Sequence, residues 1–187
     1  MIRLTGGRDK GRYIKSPDGL KTRPISANLR KVLFDTLGDR IIDARVLDVF
    51  AGVGTVGFEA LSRGAREVIF IEKEPKMAKI ILENARLLGY TDRVRVLVKD
   101  AFKVESYLEG TFDIIFLGPP YPLKGIERLP GLFLRFLGSM GVMIIQHHHK
   151  SVIEVPDGCV IRVKKLGENV LTFLEVTDEK GDLSRDF

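Results

Sequence analysis

The sequence predicts an α/β domain: a mostly parallel, twisted sheet with helices on both faces and an antiparallel hairpin at its end. Three observations carry this. From Arg45 onward, strand-like apolar runs alternate with helical patterns, the signature of parallel crossovers. The first of those runs, Val46-Leu47-Asp48-Val49-Phe50, leads directly into the glycine turn Ala51-Gly52-Val53-Gly54 and then into helix-forming sequence. The last two runs, Val160 to Lys165 and Val170 to Val176, are separated only by Leu166 to Asn169, too short for a parallel crossover.

Taken in order, the chain begins with glycine and proline punctuation. Gly6-Gly7, Gly11 and Pro17-Asp18-Gly19 bound short runs such as Arg12-Tyr13-Ile14, as in a small β-hairpin. Ser26 is a helix cap after Arg23-Pro24, and Leu29, Val32, Leu33, Phe34 and Leu37 recur at helical spacing, so an amphipathic helix docks this extension. Arg45 to Phe50 is the first core strand, and Thr55 to Arg63 the helix leaving the loop, stopped by Gly64. Arg66 to Glu72 is the second strand, Lys76 to Leu88 a helix ended by Gly89, and Val94 to Val98 the third strand. Phe112 to Leu117 and Gly141 to Ile145 are the fourth and fifth. Residues 179–187 are a polar tail with no pattern to impose structure.

Composition narrows the function classes. With 187 residues, 44% of them hydrophobic, the chain can bury one substantial core. The longest apolar runs are strand-length and the N-terminus is charged, so neither a membrane span nor a signal peptide is expected and the cytosol is the default. Cys159 is the single cysteine, which excludes an internal disulfide and a cysteine-rich zinc site. Residues 1–31 hold nine Lys or Arg against Asp9 and Asp18, a net +7, while the whole chain is +5 and the remaining 156 residues therefore sum to −2. A basic extension on a near-neutral domain suits a polyanionic partner such as nucleic acid.

Gly52, Gly54 and Gly57 form the GxGxxG spacing, in which the glycines permit a tight turn, a close ligand approach and close helix–strand packing. Glu72 ends the strand Val68-Ile69-Phe70-Ile71, 20 positions after Gly52, where a carboxylate accepts the hydroxyl protons of a ribose. Together they predict a nucleoside-containing cofactor. The second chemical signal is Gly118-Pro119-Pro120-Tyr121-Pro122, at the carboxyl end of the fourth strand. Two prolines stiffen the loop and remove amide donors, freeing the Pro119 carbonyl as an acceptor, while Tyr121 offers a stacking face. Such a loop suits a planar substrate with an amino group.

His147, His148 and His149 follow the fifth strand, and alternation puts His147 and His149 on one face. No carboxylate or cysteine is evidently paired with them, so an ordinary polar strand end is the better reading and no metal is expected.

These residues resemble the bacterial methyltransferases that use S-adenosylmethionine to methylate a guanine N2 of 16S, small-subunit ribosomal RNA. The resemblance runs through Arg3-Leu4-Thr5-Gly6-Gly7, Lys10-Gly11-Arg12, Arg23-Pro24, Leu29-Arg30-Lys31, Leu33-Phe34, Asp48-Val49-Phe50-Ala51-Gly52, Glu59-Ala60-Leu61-Ser62-Arg63-Gly64-Ala65 and the Pro-Pro-Tyr loop. The N-terminal pattern is the specific part, since many methyltransferases acting on amino nitrogens share the two loops. The resemblance implies a Rossmann-like class I methyltransferase fold, with a basic RNA-contacting extension over residues 1–44 and a cofactor-binding domain over 45–178. It implies that Asp48 and the backbone of Ala51 to Gly54 hold the methionine end of the cofactor and Glu72 the ribose. Asp100 would take the adenine amino group, with Ala101 and Phe102 beside the ring. Gly118, Pro119, Pro120 and Tyr121 would form the catalytic loop, and Arg8, Lys10, Arg12 and Arg23 would meet RNA phosphates. The implied partner is ribosomal RNA or the small ribosomal subunit, met by a monomer.

One departure stands out: the family places Asp, and related enzymes Asn, where this sequence has Gly118. The guanine amino nitrogen is a poor nucleophile, and one acceptor for its N–H bonds is missing here. Two rival readings follow: a non-catalytic RNA-binding module of ribosome assembly, favoured by Gly118, and a nicotinamide-dependent oxidoreductase, favoured only by GxGxxG and Glu72. The terminal hairpin and the Pro-Pro-Tyr loop weigh against the oxidoreductase.

Overall fold

The computed structural model describes residues 1–17 and 25–176. Arg23 and the tail at 179–187 lie outside the described residues, as does most of the expected Pro17-Asp18-Gly19 turn.

The N-terminal hairpin forms as β1 (Ile2–Arg3) and β2 (Tyr13–Ile14), with Ile2 opposite Ile14. Helix α1 (Ala27–Leu37) starts at Ser26, whose hydroxyl accepts the Leu29 amide at 3.2 Å, and buries Leu29, Leu33, Phe34 and Leu37. An Ncap hydroxyl of this kind satisfies one of the orphan amides of the first turn. There follow β3 (Arg45–Val49), α2 (Thr55–Ser62), β4 (Glu67–Ile71), α3 (Pro75–Leu88), β5 (Val94–Leu97) and β6 (Phe112–Leu117). The chain continues through α4 (Leu129–Phe133), β7 (Leu137–His148), β8 (Cys159–Leu166) and β9 (Asn169–Val176).

The large sheet runs β5-β4-β3-β6-β7-β9-β8. The pairs from β5 through β7 are parallel, and β9 joins β7 and β8 antiparallel. Because β3 sends its chain to β4 on one side and is flanked by β6 on the other, the carboxyl end of β3 is the switch point where open sheets leave a crevice.

Two apolar clusters cover the sheet. On one face α1, α2 and α3 pack Phe34, Phe58 and Ile81 against Val46, Phe70, Phe116 and Ile144. On the other, α4 and two single-turn helices (Ala101–Lys103 and Glu105–Tyr107) bring Val104, Leu129 and Phe133 against Leu47, Ile115 and Ile145. Short apolar turns and one five-residue helix do the covering on that face, and the 3.6-residue repeat is too brief there to be read in advance. The fifth strand likewise begins at Leu137 and not at the expected Gly141, because a bulge opposite Phe112–Ile114 absorbs the intervening residues.

The extension shares the core of the main domain, since Leu4 and Ile14 belong to the α1–α2–α3 cluster. Its polar anchor is Glu59, fully buried on α2, which accepts the Thr5 amide at 2.9 Å, the Thr5 hydroxyl at 2.6 Å and Arg63 Nη2 at 3.1 Å. Buried Arg30 donates to the Arg3 carbonyl at 2.8 Å and lies 3.8 Å from Glu59. Burying a carboxylate is tolerable only with such partners.

Candidate active site at the switch point

The crevice is built from three strand ends. Asp48, 2% exposed, is the penultimate residue of β3 and accepts the Gly57 amide at 2.9 Å. Burial pushes its carboxyl up to about 8, with the Glu72 charge adding to the rise and the Gly57 hydrogen bond opposing it. Gly57 must be glycine, because a Cβ there would sit 2.2 Å from the Phe70 ring, so α2 lies directly on β4. Phe50 then turns the chain at φ 63°, a conformation a bulky residue holds only where its surroundings enforce it.

Glu72 ties the glycine loop to the end of β4. Its Oε2 accepts the Gly52 amide at 2.7 Å and its Oε1 the Glu74 amide at 2.8 Å, which fixes the carboxylate at the rim of the crevice. A Cβ built on Gly52 would meet nothing within 4 Å, so the loop presents bare backbone to open space. An anchored carboxylate beside such a loop fits a ribose-bearing cofactor, as the sequence spacing anticipates.

Beyond β5, Asp100 accepts the Phe102 amide at 2.9 Å and starts the turn that carries Ala101 and Phe102. Phe102 meets Phe50 edge to face, with ring centroids 6.3 Å apart. Phe50, beside the glycine turn and in contact with Phe102, was not singled out as a site residue from sequence; the signal available was a large aromatic inside a turn that otherwise needs small residues.

The Gly118-Pro119-Pro120-Tyr121 loop is anchored to the same crevice by the Gly118 amide, which donates to the Val49 carbonyl at 3.1 Å. Gly118 is not in the left-handed region, but a Cβ there would lie 2.7 Å from Phe116 Cε1. Phe116 is 4% exposed and pairs in register with Asp48. The position that lacks a side chain is therefore crowded by a neighbour two residues away on the same face.

Of the histidines, His147 is structural. Its Nδ1 donates to the His148 carbonyl at 3.0 Å and its Nε2 accepts the Thr172 hydroxyl at 2.9 Å, while burial holds its pKa below the ordinary value. His148, by contrast, stacks on Tyr121, with centroids 4.8 Å apart and planes 22° from parallel.

The basic residues of the extension divide. Arg12 donates to Asp9 at 2.7 Å and to the Leu87 carbonyl at 2.8 Å, so it fastens the hairpin to the domain. Arg8 donates to the Tyr90 hydroxyl at 3.1 Å while its side chain stays 60% exposed. Lys10 is exposed and carries no ion pair among the described residues. Asn84 was not singled out from sequence: wholly buried on α3, it bonds the Lys15 backbone on both sides (2.7 and 3.1 Å) and reaches the Val53 carbonyl of the glycine loop at 3.3 Å.

Comparison with known proteins agrees with this architecture. Ribosomal RNA small subunit methyltransferase D of Escherichia coli (strain K12) is 34% identical over 65% of this chain and 61% of its own length. YlbH of Bacillus subtilis (strain 168), described as a candidate rRNA methyltransferase, is 31% identical over 83% of this chain and 86% of its own. The solved structure of yhhF from Escherichia coli, described as a candidate methyltransferase, superposes with a TM-score of 0.82 at 26% identity, covering 95% of this chain and 99% of that one. The fold is the Rossmann-like fold of class I methyltransferases. The family model described as Conserved hypothetical protein 95 matches residues 2–175, and the chain belongs to that family.

Proposed function

We propose that the protein transfers a methyl group from S-adenosylmethionine to the exocyclic N2 of a guanine in small-subunit ribosomal RNA, acting in the cytoplasm as a monomer. The observation that carries this reading is the convergence of two loops on the end of β3: Glu72 accepts the Gly52 amide and the Gly118 amide donates to the Val49 carbonyl, which supports a ribose acid and an amine-accepting proline loop working side by side. The relatives named as rRNA methyltransferases support the substrate class.

The cofactor supplies an activated methyl on a sulfonium. Asp48 and the bare loop from Ala51 to Gly54 would hold its methionine end, Glu72 its ribose, and Asp100, Ala101 and Phe102 its adenine. The Pro119 carbonyl would accept one N–H of the target amine while Tyr121 holds the ring. Because the departing thioether is neutral and the methylated amine would give its proton to solvent, positioning by these residues would supply most of the rate. The target base must leave its stack to reach the crevice, which gives the basic extension its role as a clamp on the RNA backbone.

The test is transfer of labelled methyl to undermethylated small subunits, with the product nucleoside identified. Absence of N2-methylguanine above background would favour the non-catalytic RNA-binding reading, which the crowded Gly118 position keeps in play. Calorimetry with S-adenosylhomocysteine and with NAD separates the oxidoreductase. In the same titration Glu72→Ala is expected to weaken S-adenosylhomocysteine by about 1.5 to 3 kcal/mol, the range for charge-assisted hydrogen bonds. Unchanged affinity would remove Glu72 from the site.

For the clamp, Lys10→Ala is the clean probe, because Arg12 also fastens the hairpin. Its loss is expected to lower the slope of log affinity for RNA against log salt by about 1, with cofactor affinity unaltered. An identical slope would take Lys10 off the RNA.

A further inference from the structure

We propose that His148 is a positioning residue for methyl transfer: its ring holds the Tyr121 ring in the orientation that receives the target base. This rests on the function proposed above. Tyr121 is 64% exposed and lies in a loop, so most of its ring faces solvent. Its ring partner is His148, in a near-parallel stack at 4.8 Å and 22°. His148 itself is well anchored. It lies in β7 opposite Asn169 of β9, and its side chain is only 17% exposed. It shares a sheet face with Ile144, which pairs in register with Phe116, so it rises on the face that Phe116 and Gly118 occupy.

The hydrogen bonding of His148 separates a stacking role from a chemical one. The Lys150 backbone amide donates to His148 Nδ1 at 3.2 Å. An amide can only donate, so Nδ1 is the acceptor and the neutral ring carries its proton on Nε2. Nε2 faces Glu168, with its carboxylate 3.8 Å away. The lone pair that would stand in for the carboxylate missing at position 118 is thus already engaged, and the other nitrogen is a donor, the wrong polarity for an amine N–H. The ring of His149, 4.3 Å from that of His148, adds a further flat neighbour. What His148 offers Tyr121 is a rigid aromatic face.

The test compares His148→Ala with His148→Phe, which keeps the face and removes both nitrogens. An aromatic pair of this kind corresponds to roughly a 2- to 12-fold effect. His148→Ala is expected to slow single-turnover transfer by about that factor without changing S-adenosylhomocysteine affinity, and His148→Phe to restore the rate to within roughly twofold of the parent. In NMR spectra the Tyr121 ring protons should lose their ring-current shift in His148→Ala and keep one in His148→Phe. A phenylalanine variant as slow as the alanine variant would overturn the proposal, because a nitrogen would then be needed. Tyr121 resonances unmoved by His148→Ala would overturn it as well. If the parent transfers no methyl group, the proposed function fails on its own, and the NMR comparison still decides whether His148 holds Tyr121.

Discussion

Asp48→Asn is expected to stabilise the ligand-free protein above neutral pH and to weaken its cofactor binding. Burial raises the Asp48 carboxyl from 3.8 to about 8. For an acid whose folded pKa is raised, the stability contribution is fully present below the unfolded value near 3.8 and is lost as pH rises through the folded value near 8. Keeping Asp48 ionised inside the fold therefore costs on the order of a few kcal/mol once pH exceeds 8. Asparagine retains an oxygen to accept the Gly57 amide but has no charge to desolvate. Denaturation between pH 5 and pH 9 should show the variant gaining on the parent as pH rises, with the gap levelling off above about 8. A constant gap would mean that Asp48 does not titrate in this range.

The same substitution is expected to weaken S-adenosylhomocysteine by about 1.5 to 3 kcal/mol, because a ligand ammonium is the natural counter-charge for a buried carboxylate. A residue that destabilises the empty protein and strengthens the loaded one is a common arrangement at binding sites. A variant that is more stable and binds as tightly as the parent would make Asp48 a structural acid serving only the α2 turn.

How much of this was readable follows from the range of the interactions. The Asp48–glycine loop–Glu72 unit is legible because each member is fixed by local sequence, and one parallel pairing between β3 and β4 brings them together. Helix ends marked by Gly64 and Gly89 are legible for the same reason. The stack of Tyr121 on His148 is not, since it joins a loop after β6 to the far end of β7 and depends on the register between them. Arg12 reads as one more cation until the fold brings Asp9 and the Leu87 carbonyl to it. The crowding at Gly118 is a different case. Phe116 and Gly118 are visible two residues apart, yet only the ring's direction shows that one fills the other's space.

That crowding sets the outcome of restoring the family's carboxylate. Gly118→Asp alone places a Cβ 2.7 Å from Phe116 Cε1, and the ring, 4% exposed in the core, has little room to yield. Overpacking of this kind typically costs about 1 to 3 kcal/mol, so the single variant is expected to lose stability and to show little of the rate gain that a second acceptor offers. Trimming the ring first changes the result. In a Phe116→Leu background the new carboxylate can reach the crevice, where one preorganised hydrogen bond at a reacting centre is worth about 10²-fold to 10³-fold in rate. Single-turnover transfer by the double variant should therefore exceed that of Phe116→Leu by up to roughly that factor. Stabilities measured on all four proteins should be non-additive, the double variant being more stable than the sum of the single losses predicts, as for side chains in direct contact. Additive stabilities would mean that Phe116 does not crowd position 118. Coupled stabilities with no gain in rate would mean that a second acceptor is not what limits transfer, and that the Pro119 carbonyl and the hold on the base by Tyr121 suffice.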